Sequence, residues 1–98
     1  MRTGIELMKN GTAYRELAAE LESWRSRPPS ELVSAIGQPR SSRVVEADGE
    51  QMMIEVGVAW TSEKREAVRI SATAYGSSHL RVERQDEAVV VPIPRQLS

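Results

Sequence analysis

A ten-residue stretch of alternating residues limits the fold of this chain more than any other feature. Residues 51–60 read QMMIEVGVAW, and every second residue is apolar. The positions of one set are Met52, Ile54, Val56, Val58 and Trp60. Because successive side chains of a β-strand point to opposite faces, the pattern predicts a strand with one face in a core. The opposite face carries Gln51, Met53, Glu55, Gly57 and Ala59.

Turn signals divide the second half of the chain into further strands. Asp48 and Gly49 form the sequence most typical of a two-residue hairpin turn, and they join a strand at 43–47 to the stretch at 51–60. Polar segments at 62–64, 76–78 and 85–87 resemble turns and bound alternating runs at 65–75 and 79–84. A last strand at 88–91 ends at Pro92, which cannot donate to a strand ladder and so indicates a sheet edge.

The spacing of apolar residues also predicts the register. Directly paired residues of an antiparallel sheet share a face, so loops of three residues keep the even-numbered apolar residues together. The predicted core pairs are Val45 with Met52, Val58 with Val68, Val56 with Ile70, Ala74 with Leu80 and Ala72 with Val82. The predicted outer pairs are Tyr75 with His79, Thr73 with Arg81 and Ser71 with Glu83. Diagonal neighbours bring Arg69 near Glu55 and Glu83.

The first half of the chain predicts two helices. Thr12 resembles an N-cap, whereas Ile5 and Met8 leave open an extension of the first helix backward across Gly11. The apolar stripe at helical spacing consists of Tyr14, Leu17, Ala18, Leu21 and Trp24.

A second, shorter helix follows the proline pair at 28–29. Ser30 is its expected cap, and Gly37 its expected end. We therefore expect one α+β domain over residues 1–98, helical over 1–37 and with an antiparallel sheet over 41–93. In this fold a long N-terminal helix and a short second helix pack on one face of a five-stranded antiparallel meander. Trp24 and Trp60 are expected in the core.

Composition narrows the possible functions. The chain of 98 residues has no cysteine, a single histidine (His79) and a formal net charge of −1. A single histidine without cysteine excludes a thiolate site and a multi-histidine metal site within one chain. We expect no enzyme activity, no cofactor and no metal. The balanced charge and the few aromatics make nucleic-acid binding unlikely. Without a signal-type or membrane-spanning apolar run, we expect a bacterial protein in the cytoplasm and not at a membrane.

The outer face of the predicted sheet is the candidate site. Small residues near its middle allow close approach of a protein partner or a second copy, and flanking Met and Tyr side chains would anchor it. The expected contacts are Met53, Gly57, Arg69, Tyr75, His79 and Arg81. The edge at residues 89–91 is an alternative surface for strand addition. Two further interpretations remain open: a solvated face with cross-strand ion pairs, and a small-ligand or enzyme-accessory site between helices and sheet near His79.

Overall fold

Two helices pack against one face of an antiparallel sheet. The computed structural model describes residues 4–47, 49–76 and 84–95, and for residues 4–12, 47 and 50 it describes the backbone only. The elements are α1 (Gly4–Arg25), α2 (Pro29–Ala35), β1 (Ser41–Ala47), β2 (Glu50–Trp60), β3 (Ala67–Gly76) and β4 (Arg84–Pro92). The strands pair in chain order, β1-β2-β3-β4, and each neighbouring pair is antiparallel. The α+β class is confirmed.

The prediction of five strands is wrong, because the described residues form a sheet of four. β4 lies directly against β3, with Tyr75 opposite Arg84 and Ala67 opposite Pro92. β4 therefore takes the place predicted for a strand at 79–84, and the partners predicted for β3 in that strand are wrong as well. Residues 77–83, and with them His79 and Arg81, lie outside the described residues.

The polar residues at 85–87 explain the error in strand number. They resemble a turn, but they belong to β4, which begins at Arg84. Gln85 and Glu87 are partly buried on the helix side, in line with the apolar Val89 and Val91. An edge strand tolerates such polar side chains because part of each can reach water. The prediction that the last strand is an edge ending near Pro92 is confirmed.

The register between β2 and β3 differs from the prediction by two residues. Val58 pairs with Ile70 and Trp60 with Val68. The connection spans residues 61–66 and is turned by Arg65, at a φ of 56°. A shift of two preserves the face of every side chain, because the side-chain period of a strand is also two. At the other hairpin the predicted pair of Val45 with Met52 is confirmed, and Gly49 adopts the positive φ of 76° that a two-residue turn favours.

The core lies between the helices and the even-numbered face of β2 and β3, as predicted. Its fully buried side chains include Leu17, Leu32, Ile54, Val68 and Ile70. β4 contributes its odd-numbered residues. Each even-numbered inner residue of β3 pairs with an odd-numbered residue of β4, and directly paired residues share a face. Burial of each such aliphatic side chain contributes about 1.5–3 kcal/mol.

Helix α1 is longer and its buried stripe narrower than predicted. It begins at Gly4, so Thr12 lies inside the helix and does not cap it, and the extension across Gly11 that the sequence leaves open is present. Leu17 and Leu21 are buried as expected, whereas Tyr14 and Ala18 are exposed. The buried residues 17, 21 and 24 follow the spacing i, i+4, i+7 and form a narrow stripe. The flank of the helix that does not face the sheet is exposed to solvent.

Helix α2 lacks the predicted serine cap. Its N-cap is Pro28, no side chain caps it, and Ser30 lies within the first turn. Pro29 starts the helix, where its fixed φ is favourable and its missing N–H costs nothing. The prediction for the other end is correct, since α2 ends just before Gly37, which has a φ of 82°.

A carboxylate ties α1 to the edge strand β1. Trp24 is buried, and its indole Nε1 donates to Glu20 Oε2 at 3.2 Å. Arg43 of β1 donates from Nε to the other oxygen of the same carboxylate at 2.8 Å. Arg27 covers the indole ring, with its guanidinium carbon 3.7 Å from the ring centroid. The core position predicted for Trp24 is confirmed; Trp60 is partly buried against the core.

Candidate functional site

The register arranges the sheet face away from the helices, the outer face, in rows that cross all four strands. One row consists of Val44, Met53, Tyr75 and Arg84. The next consists of Ser42, Glu55, Thr73 and Asp86. Gly57, Ser71 and Ala88 follow, and the Arg40 side chain lies over Gly57. The first row is therefore apolar up to Arg84, the second is polar and the third has small residues.

Three members of the first row form an exposed apolar strip, which we call the outer apolar row: Val44, Met53 and Tyr75. Val44 is 63% exposed and Met53 40%, and Tyr75 is partly buried. Val44 belongs to the edge strand β1, so the row reaches the border of the sheet. Isolated apolar side chains are common on protein surfaces, but a contiguous run is typical of a binding surface.

Beside this row lies a network of polar side chains, the polar cluster: Arg40, Glu55, Thr73, Arg84 and Asp86. Thr73 is at its centre and is only 4% exposed. Its hydroxyl donates to Asp86 Oδ1 at 2.6 Å and accepts from Arg40 Nη2 at 3.4 Å. A buried hydroxyl needs such partners, because leaving it unpaired costs free energy. The two arginines and two carboxylates balance in charge.

Glu55 connects the polar cluster to the outer apolar row. The hydroxyl of Tyr75 donates to Glu55 Oε1 at 3.3 Å, and Arg40 Nε lies 3.7 Å from the same oxygen. On the other side of the ring, the guanidinium carbon of Arg84 lies 5.9 Å from the Tyr75 centroid. Tyr75 is thus oriented by a hydrogen bond at its tip and a cation near its ring.

Asp86 is held in its ionised form. The hydrogen bond from Thr73 lowers the pKa of its carboxyl below the ordinary value, and hydrogen bonding to Arg84 lowers it further. The Arg84 guanidinium contacts this carboxylate with Nε 3.1 Å from Oδ2. An acid with a lowered pKa is a poor proton donor near neutral pH, so Asp86 suits ion pairing and not general acid catalysis.

The side chain of Arg40 packs closely over Gly57. A Cβ built on Gly57 would lie 2.8 Å from Arg40 Nη1. The Arg40 side chain therefore occupies the space where a side chain of residue 57 would otherwise stand, and its Nη2 also donates to the Glu55 carbonyl at 3.4 Å. The sequence predicted that small residues here admit a second backbone, but the group that occupies the space over Gly57 is a side chain of the same chain.

The structure groups the predicted contact residues only in part. Met53, Gly57 and Tyr75 lie close together on the outer face. Arg69 lies on the same face but opposite Ala59, two rows from Glu55, so the predicted proximity to Glu55 is wrong. His79 and Arg81 lie outside the described residues.

Sequence reasoning missed Arg40, Val44, Arg84 and Asp86. Arg40 and Val44 were within reach of it, because extending the correct hairpin register backward from Val45 places Arg40 opposite Gly57. Asp86 was missed because the segment 85–87 resembles a turn, and Arg84 because the predicted strand at 79–84 places even-numbered residues on the core side.

A shallow cleft of about 400 Å³ lies among these residues, lined by Arg40, Glu55, Ser71, Thr73, Tyr75, Arg84 and Asp86. Its described lining residues include no thiol and no imidazole, and its serine donates to the Gly57 carbonyl at 3.5 Å and not to a base. Within the described part of the chain, no three acidic, histidine or cysteine side chains come together as metal ligands. Ion pairing and hydrogen bonding are the chemistry that the cleft offers.

Comparisons with protein families, with curated proteins and with solved structures give no match. Among the described residues, neither helix has the length and apolar character needed to cross a membrane.

Proposed function

We propose that this chain is a non-catalytic interaction domain that binds protein through the outer face of its sheet. The observation that carries the proposal is the outer apolar row, which is exposed on β1 and β2 and continues to Tyr75 on β3. Buried interface centres are apolar and contain Met and Tyr more often than the rest of a surface, with a polar rim around them. The outer apolar row and the polar cluster have this arrangement.

The polar cluster supports the proposal by fixing the geometry of the row. Tyr75 enters a complex already oriented by Glu55, so little side-chain freedom is lost on binding. The cluster also presents both signs of charge, which favours a partner surface of matching pattern over a uniformly charged one. Of the contacts expected from sequence, Met53, Tyr75, Gly57 and Arg69 remain part of the proposed surface. His79, Arg81, the edge at 89–91 and the cytoplasmic location stay predictions.

A charge placed in the row tests the proposal. The variant Met53→Lys introduces a cation at the centre of the row, and Tyr14→Lys is its matched control. Tyr14 is 53% exposed on the opposite side of the molecule, on α1. We expect Met53→Lys to lose self-association and to lose binding of every protein that the unmodified chain captures reproducibly from native cell extract. Tyr14→Lys should retain both. The proposal would be contradicted if Met53→Lys still associates, or if the unmodified chain neither self-associates nor captures a protein.

The cleft favours a second candidate, a small-ligand or enzyme-accessory domain with its site on the outer face instead of the position predicted between helices and sheet. Arg40 and Arg84 flank the cleft and would bind a small carboxylate or phosphate ligand. Their guanidinium groups already contact Glu55 and Asp86, so a ligand must displace these contacts. A thermal-shift series with dicarboxylates, amino acids and inorganic phosphate distinguishes the two candidates: a small ligand raises the melting temperature of the unmodified chain and not of Arg40→Ala.

A further inference from the structure

We infer that two copies of this chain join through their β1 edges, antiparallel, about a two-fold axis at Val44. The inference rests on the proposed function and names its partner as a second copy. It starts from the edge itself: β1 ends the sheet on one side, so no strand of the described residues lies along one side of its backbone. Such an edge is a template for another strand, and β1 contains no proline or lysine to block it.

Symmetry restricts the register to a few choices. Two identical strands that pair antiparallel are related by a two-fold axis perpendicular to the sheet. This axis leaves the outer faces of both copies on the same side of the combined sheet. Outer residues therefore pair with outer residues, and the axis passes midway between one residue and the same residue of the second copy. Arg43, Val44 and Val45 are the central positions of β1, and they give three possible dimers.

An axis at Val44 gives favourable pairs on the outer face. Val44 pairs with Val44 of the second copy, so the outer apolar row continues without interruption from Tyr75 of one copy to Tyr75 of the other. The 63% exposed side chain of Val44 then lies at the centre of the combined row. In the same register Ser42 lies opposite Glu46 of the second copy, a pair that can form a hydrogen bond.

Charges favour the same register. In this register no like charges of β1 lie directly opposite each other across the interface. Arg43 lies opposite the apolar Val45 on the inner face, with its own charge compensated by Glu20. An axis at Arg43 instead sets two arginines against each other. An axis at Val45 sets Glu46 against Val44 and interrupts the apolar row.

The opposite edge of the sheet is a poorer site for pairing. An axis at Ala88, the midpoint of β4, places Asp86 opposite Val90 and Glu87 opposite Val89. Pro92 supplies no N–H at one end of that strand. Helix α1 also packs against β4, whereas the helices make few contacts with β1. β1 is therefore the edge that we assign to self-association.

A cysteine at the axis tests the register directly. The chain has no cysteine, so Val44→Cys introduces a single thiol. Residues opposite each other in an antiparallel pair have Cα atoms about 4.5–5.5 Å apart, which is within the disulfide range. Mild oxidation should convert Val44→Cys to a covalent dimer. Val90→Cys, an exposed apolar position on the same face of β4, is the matched control and should stay monomeric on a denaturing gel.

Light scattering over a wide concentration range provides the second measurement. We expect a dimer for the unmodified chain and an increase in its dissociation constant of at least about a hundredfold for Val44→Lys, because two cations meet at the axis. Val90→Lys should dimerise like the unmodified chain. If Val44→Lys does not fold, the oxidation result decides.

The outcomes separate this inference from the proposed function. A chain that is monomeric at every concentration, or a dimer that is cross-linked through Val90→Cys and not Val44→Cys, overturns the β1 dimer. A monomer that loses a different protein partner on Met53→Lys overturns the dimer and retains the proposed function. A Val44 dimer unaffected by Met53→Lys supports the dimer and contradicts the role of the row.

Discussion

On β3, Ile70 and Thr73 are almost equally inaccessible, at 0% and 4% exposure, yet they lie on opposite faces of the sheet. Ile70 is covered by helices and neighbouring strands, and any apolar side chain of similar volume could replace it. Thr73 is covered by Arg40 and Asp86, which hold it through directed hydrogen bonds. The stability of the inner face therefore depends on side-chain volume, whereas that of the outer face depends on particular hydrogen-bond partners.

The inner face should show the largest losses on truncation. Leu17 is 0% exposed and belongs to the central core, so Leu17→Ala should lower the free energy of unfolding by about 2–5 kcal/mol. Urea unfolding followed by circular dichroism measures this loss. Ala18→Ser, on the exposed side of the same helix, is the control and should change the free energy by less than about 0.5 kcal/mol. Equal losses in both variants would contradict the assignment of the buried stripe.

Thr73→Val keeps the shape of the side chain and removes its hydroxyl. If the outer face depends on directed bonds, this variant should lower the free energy of unfolding by about 1–2 kcal/mol, because the hydroxyl donates to a charged acceptor. The matched comparison is Ile70→Val on the inner face, which should cost about 0.5–1.5 kcal/mol through lost volume. In a double-mutant cycle, Asp86→Ala should remove most of the effect of Thr73→Val. A full effect in the Asp86→Ala background would show that the hydroxyl acts without its partner.

Gly57→Ala tests whether Arg40 determines the residue beneath it. The new methyl group must displace Arg40 Nη1, which lies at the end of a flexible side chain, so the cost is small. Alanine is also favoured over glycine within a strand by about 0.5–1 kcal/mol, which offsets this cost. We expect almost no net change in the unmodified background and a stabilisation of about 0.5–1 kcal/mol in Arg40→Ala. Thermal or urea unfolding of the four chains, with glycine or alanine at position 57 in each background, measures these changes. The same change in stability in both backgrounds would show that Arg40 does not influence the residue at position 57.

The smallest expected effect is the pH dependence of Asp86. The pKa of this carboxyl is lower in the folded chain than its ordinary value near 4, chiefly because Thr73 donates to it. Its contribution to stability is therefore fully present above that value and is lost as the pH falls through the lowered folded pKa. The stability difference between the unmodified chain and Asp86→Asn should shrink as the pH is lowered below about 4. In Thr73→Val, carboxyl NMR titration should show the pKa of Asp86 closer to its ordinary value.

The sequence was most informative where one local signal determines geometry. Gly49 and the hydrophobic parity gave the correct hairpin register, the correct face of each side chain in β2 and β3, and hence the core. It failed where polar residues continue a strand, as Gln85 and Glu87 do, because an edge position makes their partial exposure acceptable.

Most of the polar cluster could not be predicted for a different reason. Its geometry depends on how far the side chain of Arg40 extends from outside a strand, and on a β3–β4 register that no tight turn among the described residues determines. Distances of this kind follow from the packed sheet and not from residue patterns.

The carboxylate of Glu20 gives the β1 edge an optical readout. One of its oxygens accepts from Arg43 on that edge, and the other accepts from the indole of Trp24. The emission of a buried tryptophan responds to changes in its hydrogen bond and in the charges beside it. An event at the edge that moves Arg43 therefore changes the intrinsic fluorescence of the helix behind it. With Trp60 replaced by phenylalanine, the chain would report on its own edge without an added label.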